Sequence, residues 1–237
     1  MRRLAASTLL AAVVLAGAVP LPAQRPARSA PGPTNEHATR HLGMFAGWSS
    51  ATLVGGDTQG AAERRNGLVL GGYLRIPVGA GGWALRPELL YAQKGASQTI
   101  DASDDLFGER LEATLKLDYV ELPLLVEFAP RTAGGVHPFF HAGPSLGYQA
   151  DCRVQARVGR DSFSSGCDGA DLEGPPLRSF DLGMVLGAGV RFALGAQAAT
   201  VSARFQPSLT RLASEANLRN QMIAVVGSIE FALLGRR

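Results

Sequence analysis

The sequence predicts an all-β fold, an eight-stranded antiparallel up-and-down transmembrane β-barrel, and three observations carry that reading. A two-residue rhythm returns in about eight segments after Leu42, with apolar residues on one face and glycine, charged or small polar residues on the other; two is the side-chain period of a strand. The connections between these segments alternate long and short, which puts loops at one end of a barrel and tight turns at the other. An export signal stands ahead of them, and no later stretch is long and apolar enough for a membrane-spanning helix.

The N-terminus gives that signal. Met1, Arg2 and Arg3 make a short positive start, Leu4 to Ala18 is apolar, and Leu21, Pro22 and Ala23 precede Gln24 as a cleavage site ending on a small residue. Residues 1–23 are therefore expected to be a signal peptide, with cleavage after Ala18 also satisfying the small-residue rule. Residues 24–40, rich in Pro, Arg and Ala and without periodicity, read as a flexible periplasmic lead-in, and residues 41–237 as the barrel domain.

The expected strands run Leu42 to Leu53, Gly67 to Val78, Trp83 to Gly95, Leu111 to Phe128, Pro138 to Ala150, Ser179 to Leu194, Ala198 to Leu209 and Gln221 to Leu234. Long connections follow at Val54 to Asn66, Ala96 to Arg110, Asp151 to Arg178 and Thr210 to Asn220; short ones fall at Gly79 to Gly82 and Gly195 to Gln197. In the fourth strand the apolar residues change phase, from Leu115, Leu117 and Tyr119 to Val120, Leu122, Leu124, Val126 and Phe128. Such a shift needs a bulge or a change of environment. Lipid contact is accordingly expected at Val120 to Phe128, with Leu111 to Tyr119 rising beyond the bilayer and Pro123 facing the lumen.

Alternation alone fits both a soluble carrier, whose apolar face lines a cavity, and a membrane barrel, whose apolar face meets lipid. Lipid is favoured because the charged face is also the glycine face, with Gly43, Gly47, Gly71, Gly143, Gly147, Gly183, Gly187 and Gly189, as a crowded narrow interior requires. That face collects Arg75, Arg86, Lys94, Arg191 and Arg204 against Glu88, Glu121, Glu127, Asp181 and Glu230, a balanced set suited to pairing inside a lumen. Aromatic residues Trp83, Tyr91, Phe128, Tyr148, Phe180, Phe192 and Phe231 sit near the ends of apolar faces, where interfacial girdles belong. Lysine occurs only at Lys94 and Lys116, so few strand faces are built to meet water from outside.

The segments Arg86 to Gly95, Leu117 to Leu125, Pro138 to Ser145 and Asp181 to Gly189, in that order and spacing, resemble the outer-membrane β-barrel domain family often labelled PorT-like or porin-family. The resemblance covers nearly all of the mature chain. It implies an eight-stranded barrel in the bacterial outer membrane and no shared biochemical activity. Many such barrels end on an aromatic residue read by the assembly machinery, whereas here Phe231 is followed by Ala-Leu-Leu-Gly-Arg-Arg.

Catalytic signals are sparse. Of four histidines, His141 shares the lumenal face with Ser145, but four strand residues separate the two by about 13 Å, too far for a hydrogen bond. Gly187-Ala188-Gly189 lies inside a strand with no helix after it, so it is barrel packing, not a dinucleotide fingerprint. Asp101, Asp104, Asp105 and Glu109 make an acidic solvated loop. No catalytic, cofactor-binding or metal site is assigned. The formal charge of +3 drops to about +1 without Arg2 and Arg3, so no nucleic-acid partner is expected. The two cysteines, Cys152 and Cys167, lie in one loop of an exported chain and are expected to form a disulfide.

The functional expectation is a non-enzymatic outer-membrane scaffold, structural or surface-binding through its long loops, with outer-membrane lipid and the barrel-assembly machinery as partners. A narrow passive channel or secretion-associated component, a lipid-modifying enzyme and a soluble periplasmic carrier are the alternatives.

Overall fold

In the computed structural model the described residues are 39–55, 63–101, 110–158, 161–167, 178–195, 197–212 and 217–233. The signal peptide, most of the lead-in and the acidic residues Asp104, Asp105 and Glu109 lie outside them. The described residues form strands β1 (Arg40–Val54), β2 (Glu63–Val78), β3 (Trp83–Asp101), β4 (Arg110–Phe128), β5 (Val136–Val158), β6 (Asp161–Gly166), β7 (Phe180–Leu194), β8 (Gln197–Pro207) and β9 (Arg219–Leu233).

Eight of these close a ring. Each strand pairs antiparallel with its neighbours in the order β4-β3-β2-β1-β9-β8-β7-β5, and a β4–β5 pairing joins the two ends. The first and last strands meet along their whole length, from Arg40 opposite Leu233 to Val54 opposite Arg219. A closed ring leaves no edge with unpaired backbone groups, the condition for strands to cross hydrocarbon. The turn between β2 and β3 is tight, with Gly79 and Gly82 at φ of 64° and 82°; a side chain on Gly82 would also strike the Ala129 carbonyl.

Alternation sorts the faces as anticipated. Leu122, Leu124 and Val126 of β4 are exposed on the outer wall, Leu122 at 56%, while Glu121, Leu125 and Glu127 between them are buried. Trp83 packs on Phe128 at one rim, with ring centroids 4.7 Å apart, and Tyr148 on Phe180 at the other, at 5.4 Å.

Three expectations change in detail, the first by a choice among its own alternatives. The change of pattern in β4, which calls for a bulge or a change of environment, meets both: its odd residues from Leu117 to Glu127 are buried in the lumen without a break, Leu117 and Tyr119 fully so. The change of pattern is a change of filling, from an apolar outer end to a charged middle. The ladder irregularity lies across the pairing on β5, where Asp118 faces Asp151 but Tyr119 faces Gln149, leaving Ala150 as the extra residue of a bulge. Pro123 does point inward, and the β3–β4 ladder is interrupted beside it, between the Pro87–Leu124 and Leu90–Glu121 pairs.

The second correction concerns the long connections. β3 runs on to Asp101, β5 to Val158, and β6 returns along β5 from Asp161 opposite Val158 to Gly166 opposite Arg153. Much of the stretch read as loop Asp151 to Arg178 is thus a hairpin, and Cys152 and Cys167 join across its base with Cα atoms 5.5 Å apart. The third concerns the inward face, which carries large apolar residues as well as charges: Phe45, Val69, Tyr73, Leu90, Met222 and Val226 cluster there.

Linking Cys152 to Cys167 closes 15 residues, for which chain entropy predicts roughly 3 kcal/mol of stabilisation. Mass analysis after alkylation of the unreduced native protein should find no reactive thiol. Reduction should lower thermal stability while leaving the ring folded, because the pair lies outside the eight-strand closure.

Candidate functional site: the charged lumen

Side chains at the inward positions of eight strands converge on a space only wide enough for them to fill. All ten charged residues named from the sequence stand in this interior, in three tiers. At the inner end, on the side of the short turns and the two strands nearest the termini, Glu127 is shared by three arginines. It accepts from Arg75 Nε at 2.8 Å, Arg191 Nη2 at 2.9 Å and Arg86 Nη1 at 3.1 Å. Arg191 also donates to both oxygens of Glu230, at 2.9 and 3.0 Å, and the Tyr73 hydroxyl donates to Glu230 at 2.7 Å.

In the middle tier Glu88 lies between two arginines. Arg204 Nη1 donates to it at 2.9 Å, and Arg86 Nε stands 2.8 Å away as an ion pair without hydrogen-bond alignment. In the outer tier Lys94 Nζ lies 2.6 Å from Glu121 and 3.5 Å from Asp181. Gln206 and Ser145 add donors to Glu121, while Ser208 and Thr210 donate to Asp181.

Four of the five cations also lie over an aromatic face. Arg86 stands 3.6 Å above the Tyr73 ring, Arg204 4.9 Å from Phe45, and Arg191 and Lys94 each 5.0 Å from Phe139 and Tyr119. A guanidinium over a ring keeps a partner on the side its carboxylate does not reach. The aromatic half of this arrangement was not drawn from the sequence. Its signal was present: Phe45 lies between Gly43 and Gly47 on the inward face, and Tyr73 between Gly71 and Arg75. The space those rings need explains nearby glycines, since a side chain on Gly43 would enter the Tyr73 ring.

His141 and Ser145 are both buried in the lumen. The imidazole stacks beside Phe139 at 5.8 Å, opposite Gly187, and neither ring nitrogen has a hydrogen-bond partner among the described residues. Among the described residues no three of His, Cys, Asp and Glu come together as a metal-ligand set. Beyond the outer tier an apolar cluster of Leu117, Tyr119 and Leu212, with Leu53, Leu115 and Leu218 against it, fills the interior. Leu212 is held there by backbone bonds from its N–H to Leu218 and from Arg178 to its carbonyl.

The profile of the outer membrane protein beta-barrel domain matches residues 23–214. The chain belongs to that family. The match is to the barrel domain and does not extend to the PorT-like label. Membership places the chain in the bacterial outer membrane. Among curated proteins none matches it. Solved structures similar to it include Neisserial surface protein A, at 13% identity and a TM-score of 0.44, covering 81% of this chain and 97% of that one. The attachment invasion locus protein of Yersinia pestis is similar at 14% identity and a TM-score of 0.39, covering 81% and 99%. A major outer membrane protein of Thermus thermophilus is similar at 13% identity and a TM-score of 0.42, covering 80% and 99%.

Removing one member of a buried ion pair leaves a charge uncompensated, at a cost of about 3 kcal/mol or more, whereas removing both partners costs far less. Glu88→Gln should therefore destabilise the barrel in urea more than the double variant Glu88→Gln with Arg204→Met, in which only Arg86, still paired to Glu127, loses a partner. A double variant destabilised by the sum of the Glu88→Gln and Arg204→Met single effects would mean that the pair carries no coupling.

Proposed function

We propose that this protein is a non-enzymatic outer-membrane scaffold whose lumen is a structural core and whose working surface is the strand extension and loops beyond the outer rim. The observation that carries the reading is the filling of the interior: fully buried Arg86, Arg204, Lys94, Tyr119, Phe139, Leu117 and Glu127 occupy its length, and the Leu212 cluster lies over the outer end. Aqueous channels belong mainly to barrels of roughly 16 strands or more, and a ring of half that number offers side-chain space only. Against the lipid-hydrolase alternative, His141 and Ser145 lie on the lumenal side, away from lipid substrates.

The export route belongs to the same proposal: a signal peptide over residues 1–23 is removed, and the barrel-assembly machinery inserts the chain, with Phe231 as the aromatic residue it reads near the C-terminus. Outer-membrane lipid covers the belt, and any surface ligand meets the connections at 54–66, 96–110 and 151–178. Among the described residues of these connections, the β5–β6 hairpin is closed by Cys152–Cys167 and carries the exposed pairs Arg153–Asp151 and Arg157–Glu112 on its β5 strand. A rigid base that presents variable segments is the usual arrangement for surface binding.

Planar-bilayer recording of the purified, folded barrel should give no sustained conductance of porin size. Reproducible long-lived openings would replace the scaffold with the channel reading. A lipid-acyl hydrolysis assay on outer-membrane vesicles carrying the protein should stay at background, and turnover there would replace it with the enzyme reading.

A further inference from the structure

The interior is closed and open at different ends. At the outer end the apolar cluster around Leu212 fills it, whereas at the inner end a cavity of about 580 Å³ opens between the short turns and the ends of the terminal strands. Its floor is the inner charge tier, through Arg75, Arg191 and Glu230, and its rim carries Arg131, His41 and His137. Trp83 stands in its wall.

Charge is unevenly shared along the lumen. In the outer tier one cation, Lys94, faces two carboxylates, Glu121 and Asp181. In the middle and inner tiers four arginines, Arg75, Arg86, Arg191 and Arg204, face three carboxylates, Glu88, Glu127 and Glu230. The surplus positive charge thus lies toward the cavity, and Arg131 adds to it with no carboxylate partner among the described residues; its hydrogen bond goes to the Ala80 carbonyl. Donors are left over as well. Among the described residues Arg75 engages Glu127 through Nε alone, with no partner there for its terminal amino groups, and the side chain is 14% exposed at the cavity floor. His41 Nδ1 is buried beside it with no partner among the described residues.

From this geometry we infer that the inner vestibule is a binding site for a small solute bearing a carboxylate or phosphate group, entered from the periplasm. Guanidinium groups with free N–H pairs at the base of a partly enclosed cavity match the planar or tetrahedral oxygens of such an anion, and the imidazole supplies a further donor when its tautomer places the proton on Nδ1. Low-dielectric walls lined by one sign of charge strengthen the attraction. The site faces the opposite side of the membrane from the proposed surface role and stands or falls separately from it.

The two tryptophans allow a direct test. Trp48 lies on the lipid-facing wall, so Trp48→Phe leaves as the single fluorophore Trp83, which stands at the rim of the barrel and borders the vestibule mouth. The full mature chain with that change, folded in non-ionic detergent, is titrated with sodium phosphate and with sodium acetate, against sodium chloride at equal ionic strength. The inference expects a saturable change in Trp83 emission with phosphate or acetate and none with chloride. Arg131→Gln should weaken the response about tenfold, as loss of one charge-assisted hydrogen bond would. Arg153→Gln, at the far end of the barrel, should leave it unchanged. Arg131 lies outside the ion-pair network, so its variant is expected to fold, and heat-modifiable gel mobility verifies that it has. No saturable response, an equal response to chloride, or equal weakening by Arg153→Gln would each overturn the site.

Discussion

Closure of the β-ladder between the first and last strands is the constraint on which the remainder of this structure depends. Within hydrocarbon every backbone N–H and C=O must find a partner in the protein, and strands supply one to each only when they close into a ring. Once Arg40 to Val54 pairs along Leu233 to Arg219, side-chain direction is no longer free. Each strand must send alternate residues to lipid and to lumen, so apolar residues such as Leu122 and Ile229 go outward and everything polar on those strands must be accommodated inside.

Accommodating charge in so narrow a space dictates the rest of the interior. A lone carboxylate there would cost several kcal/mol in lost hydration, so each is surrounded, Glu127 by three arginines and Glu88 by two. The cations have a second surface to satisfy, and Tyr73, Phe45, Phe139 and Tyr119 cover it. Those rings need volume, which glycines on neighbouring inward positions release. Charge, ring and glycine are therefore one packing solution, and it has a direction: surplus acid toward the outside, surplus base toward the vestibule. Beyond the outer rim hydrocarbon no longer imposes closure, and the sheet there ends in β6, paired on one side to β5 and tied down by Cys152–Cys167.

Period-two patterning was strong enough to place the eight ring strands and to sort the ten lumenal charges by face, because a one-residue error would reverse every side chain on a strand. Partners within that set were not legible, since they depend on register: Arg204 reaches Glu88 across 116 residues of chain. The outer end was misread for a different reason. Leu117 and Tyr119 break the pattern of a polar inward face, because the lumen changes from charged to apolar along its axis. The β5 extension was readable, with Cys152, Val154, Ala156 and Val158 alternating with Arg153, Gln155 and Arg157. Taking long connections to be irregular hid it.

One face of each strand meets lipid, and the charged face stays out of bulk water. Nitroxide labels placed singly from Val120 to Glu127 in the barrel reconstituted in bilayers test it most directly, through their relaxation by oxygen, which concentrates in hydrocarbon, and by a water-soluble nickel chelate. A two-residue oscillation is expected, in which labels at Val120, Leu122, Leu124 and Val126 are relaxed by oxygen and shielded from nickel. Labels at Glu121, Leu125 and Glu127 should be reached weakly by both. Strong nickel relaxation at Leu122 and Leu124 would place that wall in water and contradict the account.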